Sequence, residues 1–302
     1  MIYKSAFFGL FVHMMKDLDP SLLARFTFLD FLLLFKGGFT RSELVTRFEI
    51  GEATASRTIA GYLDLFPDTV NYLGPRKGYI AKKGINSKFD HDPVEGLLYI
   101  TSGLVQSQFN VKQYGPPEYR FQKELDINIV SAITRAVVNQ LEVDIRYIST
   151  TSGVTARCVA PHAIFYANNT WYFRAYDFSN YEFRTFRFSR VTSAIDLGSS
   201  HSRKYSSKHD DAWHRIRKVL LRPHPKNSNP EALFLDLGIS DNSVKEVLIS
   251  EALLGFVLTD LRVDCSITSR LNYNEYPLAL SNREELANVK SMIFAPGFLP
   301  RK

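Results

Sequence analysis

Cysteine is scarce in this chain, and the local signatures of common enzyme classes are missing. Only two cysteines, Cys158 and Cys265, occur in 302 residues. They lie far apart, so neither a disulfide framework nor a CxxC zinc pair can be built from them. A reducing cytoplasm is the simplest compartment for such a protein. No GxSxG elbow, P-loop or paired-carboxylate metal site is present, and His13, His91, His201 and His214 stand in no catalytic spacing. No catalytic residue, metal or cofactor is therefore expected. No apolar run reaches transmembrane length, so no membrane role is expected either. Residues 6–12 are apolar but lack a small-x-small cleavage site and run into Met14-Met15-Lys16-Asp17. They read as a short N-terminal extension, with Met14 or Met15 as alternative starts. An acidic excess is also lacking: the net charge is +6, a balance that favours polyanionic partners.

Apolar content of 45%, with 23 Phe and 15 Tyr, is enough for two or three proper cores. Asp19-Pro20 can cap and start a helix, and Leu22, Phe26, Leu29 and Leu33 then repeat at helical spacing. Phe28, Phe31, Leu32 and Leu34 form a second apolar face, so this helix must be covered on more than one side. Gly37-Gly38 ends it. Thr40-Arg41-Ser42-Glu43 is a capping box for a short second helix. After the Ile50-Gly51 turn, a third helix spans roughly 52–66, with Ala55, Ile59, Tyr62, Leu63 and Phe66 inward. Two short strands follow, joined by Gly74-Pro75-Arg76-Lys77. This is the pattern of a winged helix-turn-helix with a basic wing tip. Small and basic residues at the two helix starts and at the wing are the candidate DNA contacts: Thr40, Arg41, Ser42, Thr54, Ser56, Arg57, Thr58, Arg76 and Lys77. The same pattern also fits a three-helix module used for protein contacts. A helix from Asp92-Pro93, a polar break ending in Gly115-Pro116-Pro117, and a second helical repeat through Ile129, Ile133 and Val137 read as a helical bridge.

From Val143 the period changes to two. Strands are expected over 143–148, 157–166, 170–176, 181–188 and 191–195, with Asn168-Asn169 as a hairpin turn, and so many short strands suggest a small barrel. Alternation places Trp171, Phe173 and Ala175 on one face as core. Tyr172, Arg174 and Tyr176 fall on the other, as candidate ligand contacts. Arg184 and Arg187 fall on opposite faces of an unbroken strand, and Arg190 lies beyond it. With Tyr147 and His162, these side chains make an anion-binding set suited to stacking a base and pairing a phosphate. Each arginine alone also fits a salt bridge to Asp177, Glu182 or Asp196.

The order of Tyr147, Pro161-His162, Trp171-Tyr172-Phe173 and Arg184-x-Phe186-Arg187-x-x-Arg190 resembles the WYL domain, with Phe173 in place of the leucine. With the upstream winged helix, the chain resembles WYL-domain regulators of phage-defence loci, the BrxR and CapW group. The resemblance implies an α+β protein of four parts. These are a winged helix-turn-helix DNA-binding domain (1–90), a helical linker (91–138), a small Sm-like β-barrel WYL ligand-sensing domain (139–200), and an α/β C-terminal WCX dimerisation domain (201–302). Residues 201–226 are strongly basic and read equally as a solvated linker or as extra phosphate contacts. Val219-Leu220-Leu221 reads as a strand ending at prolines, 230–237 as a helix, and 244–261 as one amphipathic helix. The expected function is a homodimeric, sequence-specific transcriptional repressor of a phage-defence operon. Its partners would be double-stranded DNA with inverted repeats, a second copy of itself, and a nucleotide or single-stranded nucleic-acid effector. The alternatives are a WYL-type activator or adaptor and, less in keeping with the motifs, a nucleic-acid-processing enzyme.

Overall fold

The computed structural model of the chain describes residues 18–84, 86–102, 124–200, 203–240 and 243–299. The N-terminal extension, the break at 115–117 and His201 lie outside these. Helix α1 (Pro20–Phe35) starts where Asp19 Oδ2 accepts the Leu22 amide at 3.0 Å. Every residue from Phe28 to Phe35 is buried, as a helix without a polar face requires. Strand β1 (Gly38–Phe39) follows, then α2 (Arg41–Phe48). The Glu43 carboxylate closes the capping box at the start of α2, accepting the Thr40 amide at 2.9 Å. Helix α3 (Glu52–Leu65) and the strands β2 (Val70–Tyr72) and β3 (Tyr79–Ala81) complete the module. The sheet order is β1-β3-β2, all antiparallel: a winged helix. Its wing depends on Gly78, at φ +70°, where a Cβ would sit 2.3 Å from the Phe39 carbonyl oxygen.

Helices α4 (Pro93–Ser102) and α5 (Ile127–Asn139) form the bridge. Strands β4 (Leu141–Ser149), β5 (Gly153–Ala167), β6 (Thr170–Asp177), β7 (Glu182–Arg187) and β8 (Val191–Ser200) make one sheet in the order β7-β6-β5-β4-β8. The five expected strands are present, but among the described residues no ladder closes them into a barrel. The edge strands β7 and β8 are joined only by a three-residue 3₁₀ turn, Phe188–Arg190. At about 2 Å rise per residue this turn spans only a few ångströms, so the sheet curls until its edges approach without pairing.

By internal contacts the chain forms two units: Met1–Ile164 with Arg174–His201, and Phe165–Phe173 with Ser202–Lys302. The tip of the β5–β6 hairpin thus belongs to the C-terminal unit. Within that unit Phe165 stacks on Tyr172 at 5.3 Å, and Phe256 meets both rings edge-on at 5.4 and 5.0 Å. The unit also contains α6 (Asp211–His214), β9 (Ile216–Pro223), α7 (Glu231–Leu237), β10 (Lys245–Ser250), α8 (Leu254–Asp260), β11 (Val263–Asp264) and β12 (Leu278–Leu280). Its sheet order is β10-β9-β12-β11.

Two sequence expectations fail here. Residues 244–261 are not one helix but β10, a turn and α8. Ile249 packs into the core with Val247 beside it, while Leu248 points out at 66% exposure, which is period two. Glu251 breaks the helical stripe because it is buried as an ion-pair partner of Arg217 (2.6 Å) and Arg215 (3.3 Å). Trp171, expected in the core beside fully buried Phe173, is half-buried and rests against Tyr166 at 5.2 Å.

Gly255 lets α8 touch the 3₁₀ turn Lys290–Phe294: a Cβ there would lie 1.9 Å from the Ser291 carbonyl oxygen. Backbone cannot swing aside as a side chain does. Gly255→Ala should therefore destabilise the C-terminal unit by about 3 kcal/mol. Both tryptophans, Trp171 and Trp213, sit in this unit, so the urea midpoint followed by tryptophan fluorescence reads the loss directly.

Candidate functional site

The first candidate surface is the N-terminal end of α3 with the wing. Ser56 and Arg57 are exposed, and Thr54 is half-buried. Arg57 makes only a short-range bond within its own helix, Nη2 to Thr54 Oγ1 at 3.4 Å. Arg41 and Ser42 are exposed at the start of α2. The Arg41 guanidinium bridges to α3, lying 2.9 Å from Glu52 Oε2 and 3.4 Å from Ser56 Oγ. Both members of that ion pair are well exposed, so it holds Arg41 only weakly and a phosphate can replace Glu52. Arg76 and Lys77 are exposed at the wing tip. Thr40 serves mainly as a cap, its hydroxyl 3.1 Å from Glu43. Thr58 is the correction in this set. It is 3% exposed and faces the core of the module, one turn before Tyr62, so it presents nothing to a groove.

The second candidate is one face of the WYL-like sheet. Arg174, expected as an open ligand contact, is buried at 9% exposure, with Nη1 3.4 Å from Thr185 Oγ1 across the β6–β7 pair. Tyr176 meets Phe183 at 5.2 Å, and His162 meets the same ring at 5.5 Å. Alternation along β7 then places Phe183, Thr185 and Arg187 together with His162, Arg174 and Tyr176. Arg184 and Phe186 take the opposite face, as the sequence implied. Arg184 is a salt-bridge residue, with Nε 2.7 Å from Glu182 Oε1. Arg190 ends the 3₁₀ turn and is half-buried.

Two aromatic candidates act in packing instead. Tyr147 is 8% exposed, meets Phe186 edge-on at 5.2 Å, and its hydroxyl accepts the Arg187 amide at 3.3 Å. It fixes the end of β7 rather than offering a ring to a ligand. Tyr172 is held between Phe165 and Phe256 in the C-terminal unit. The acids named as alternative partners are largely taken by other arginines. Asp177 is fully buried and binds Arg157 at 2.5 Å, while Asp196 lies 3.7 Å from Arg135. Both thiols are held in the protonated form at neutral pH: burial, with Asp144 and Glu142 nearby, pushes the pKa of Cys158 up to about 11, and burial with Asp264 nearby pushes that of Cys265 up to about 12. Among the described residues, no cluster of three His, Cys, Asp or Glu is placed to hold a metal ion, and no helix is long and apolar enough to cross a membrane.

Sequence reasoning missed three polar residues that tie the elements behind these surfaces together. Asp30, in the middle of apolar α1, is 1% exposed. It accepts bonds from the Tyr62 hydroxyl (3.0 Å), the Ser87 hydroxyl (2.6 Å), the amides of Lys88 (3.0 Å) and Phe89 (3.2 Å), and His91 Nε2 (3.0 Å). Burial pushes its pKa up, but the bonds from His91, Ser87 and Lys88 and the His91 charge outweigh burial and hold it below the usual range. Asp30 thereby ties the chain leaving the wing to the first helix. A lone acid inside a helix with no polar face was the available signal. Arg135, on α5, donates from Nη1 to the Leu34 carbonyl at the end of α1 at 2.8 Å and faces Asp196 of β8. Burial pushes its pKa down, with Asp196 opposing. Asn139, one turn on, donates to the Lys36 carbonyl at 2.8 Å. The helix bearing the winged module is therefore bonded through α5 to the sheet bearing the arginine face.

Three family matches cover most of this architecture. The BrxR transcriptional regulator winged helix-turn-helix domain matches residues 21–102, the WYL domain 128–195, and the BrxR transcriptional regulator C-terminal dimerization domain 216–286. The chain is similar to proteins named DNA-binding transcriptional repressor CapW. The Pseudomonas aeruginosa protein is 25% identical over 88% of this chain and 90% of its own. That of Escherichia coli (strain KTE188) is 25% identical over 87% and 89%, and that of Stenotrophomonas maltophilia 23% over 87% and 90%. Among solved structures, proteasome accessory factor B/C (PafBC) of Arthrobacter aurescens aligns with 88% of this chain and 46% of its own at 17% identity. Its TM-score of 0.26 is too low to bear on the argument. Regulatory domains thus account for the chain from its winged helix to its C-terminal sheet, and the protein belongs to the WYL-domain transcriptional regulators that carry a BrxR-type winged helix and C-terminal dimerization domain.

Proposed function

We propose that this protein is a homodimeric, sequence-specific DNA-binding repressor, and that its WYL sheet senses a nucleotide or a short nucleic-acid fragment. The observation that carries the reading is an exposed basic and small-residue set at the recognition-helix start and wing tip, on a module whose first helix is bonded through Arg135 to the sheet that bears Arg187 and the buried Arg174. A dimer places two such helices in successive major grooves of an inverted repeat. Ligand on the arginine face favours a dimer geometry that no longer matches the half-site spacing. That coupling needs only a difference in ligand affinity between the two geometries. The control of a phage-defence operon rests on the resemblance to the BrxR and CapW regulators of such loci.

The division of labour is testable. Arg187→Ala should leave operator affinity within about twofold of wild type and abolish derepression in a reporter strain challenged with phage. Loss of operator binding with normal derepression would reverse the assignment of the two surfaces. Mass spectrometry of small molecules released from the purified protein identifies the effector class.

A further inference from the structure

The matched dimerization domain begins at Ile216, the first residue of β9, and takes in the whole of β10. Within it, β10 ends the sheet and carries no further strand on its outer side among the described residues. An open strand edge is a row of unused backbone donors and acceptors, a template for another strand. Side chains on this strand pair divide cleanly. Val219, Leu221 and Ile249 are at most 6% exposed and fill the core, whereas Ile216 is 54% and Leu248 66% exposed. Leu248 pairs with Lys218 and Ile216 with Ser250, so the two exposed apolar side chains are diagonal neighbours on one face. Val244, 42% exposed, extends the strip just before the strand. Between them Lys218 lies 2.8 Å from Glu246, opposite charges side by side on the same face. The end of the strand is already engaged, because Ser250 Oγ donates to the Ala212 and Trp213 carbonyls at 3.0 and 2.8 Å. The open stretch is therefore Lys245 to Ile249.

We propose that a second copy of this chain pairs its own β10 antiparallel against this edge, about a two-fold axis, joining the two four-stranded sheets into one. Antiparallel pairing of a strand with itself satisfies two-fold symmetry, and it is a recurrent way of adding a strand to a sheet. Lys218, one strand in from the edge, neutralises the Glu246 carboxylate of its own copy, so the new strand pair brings no uncompensated acid to the edge. Leu248 of each copy gains apolar cover from the other. The remaining exposed apolar residues of the matched region do not form such a strip: Leu235 (83%) stands on α7, Leu261 (41%) just after α8, and Ile267 (75%) and Tyr273 (37%) between β11 and β12. Single exposures of that kind are ordinary.

This assignment rests on the homodimer reading above, and one set of measurements separates the two. Size-exclusion chromatography with light scattering on the wild type, Leu248→Asp and Leu235→Asp gives the oligomeric state, and circular dichroism checks the fold of each. The expected result is a dimer for the wild type and Leu235→Asp. Leu248→Asp should be a folded monomer, with its dimer dissociation constant raised by at least about 100-fold. A Leu248→Cys variant should also be trapped as a dimer by a short bis-maleimide linker, above the wild-type background. A dimeric Leu248→Asp with no trapping of Leu248→Cys overturns the β10 interface while leaving the homodimer intact. A monomeric wild type overturns both.

Discussion

Asp30→Ala should be the most damaging single substitution in the N-terminal unit, costing about 3–5 kcal/mol. The change does more than delete a contact. It leaves the Tyr62 and Ser87 hydroxyls, two backbone amides and a buried imidazole without their common acceptor. Each donor then bears a desolvation cost that the carboxylate had offset. Asp30→Asn should rescue little, because an amide offers one acceptor oxygen and turns its own donors toward a site made of donors. Asp19→Ala is the matched control: it removes an exposed N-cap from the same helix and should cost only about 1 kcal/mol. Thermal unfolding followed by circular dichroism gives the ranking. The pH dependence has a definite sign. Since the folded-state pKa of Asp30 is depressed, its contribution is complete above the ordinary aspartate value of about 3.9 and is lost as pH falls through the folded value. Wild type should lose its advantage over Asp30→Ala as the solution is acidified below about pH 4.

Arg57→Ala should have the largest effect on DNA, weakening operator binding by about 10–100-fold. That range corresponds to loss of one bidentate base contact. The side chain is exposed and held only by the Thr54 hydroxyl at 3.4 Å, so its removal should leave stability unchanged. Pairing Arg76→Ala with Lys77→Ala gives a different signature. Wing-tip cations contact phosphates, so their loss should weaken specific and non-specific DNA alike. It should also flatten the plot of log affinity against log salt by about 0.9 for each phosphate contact removed. Fluorescence anisotropy across a salt series separates the two outcomes. Thr58→Ala should do neither, because its side chain is turned into the core.

What was legible in the sequence follows from how local its cause is. The winged helix was readable because its boundaries are set within a few residues: Asp19 capping Leu22, Thr40 with Glu43, and a glycine turn at the wing. The strands of the WYL-like sheet were readable from alternation, which also separated Arg184 from Arg187. Failures occurred where a distant partner decides the outcome. Residues 244–261 read as one helical stripe, but Glu251 is claimed by Arg217 of β9 and by Arg215 just before that strand. Tyr172 reads as a ligand contact because its strand face is open in isolation, yet Phe256 of the C-terminal unit packs on it. Tyr147 was drawn into packing by Phe186. Closure of the barrel depends on whether two edges meet, and no single strand records that.

The claim on which the rest depends is that the winged helix reads an operator as one half of a dimer. Footprinting of wild type and Arg57→Ala on the DNA upstream of the protein's own gene tests it most directly. The account predicts protection of an inverted repeat whose half-sites are spaced by about one helical turn or a multiple of it, lost with Arg57→Ala at the same protein concentration. No protected repeat even at low salt, or protection indifferent to Arg57, would contradict it.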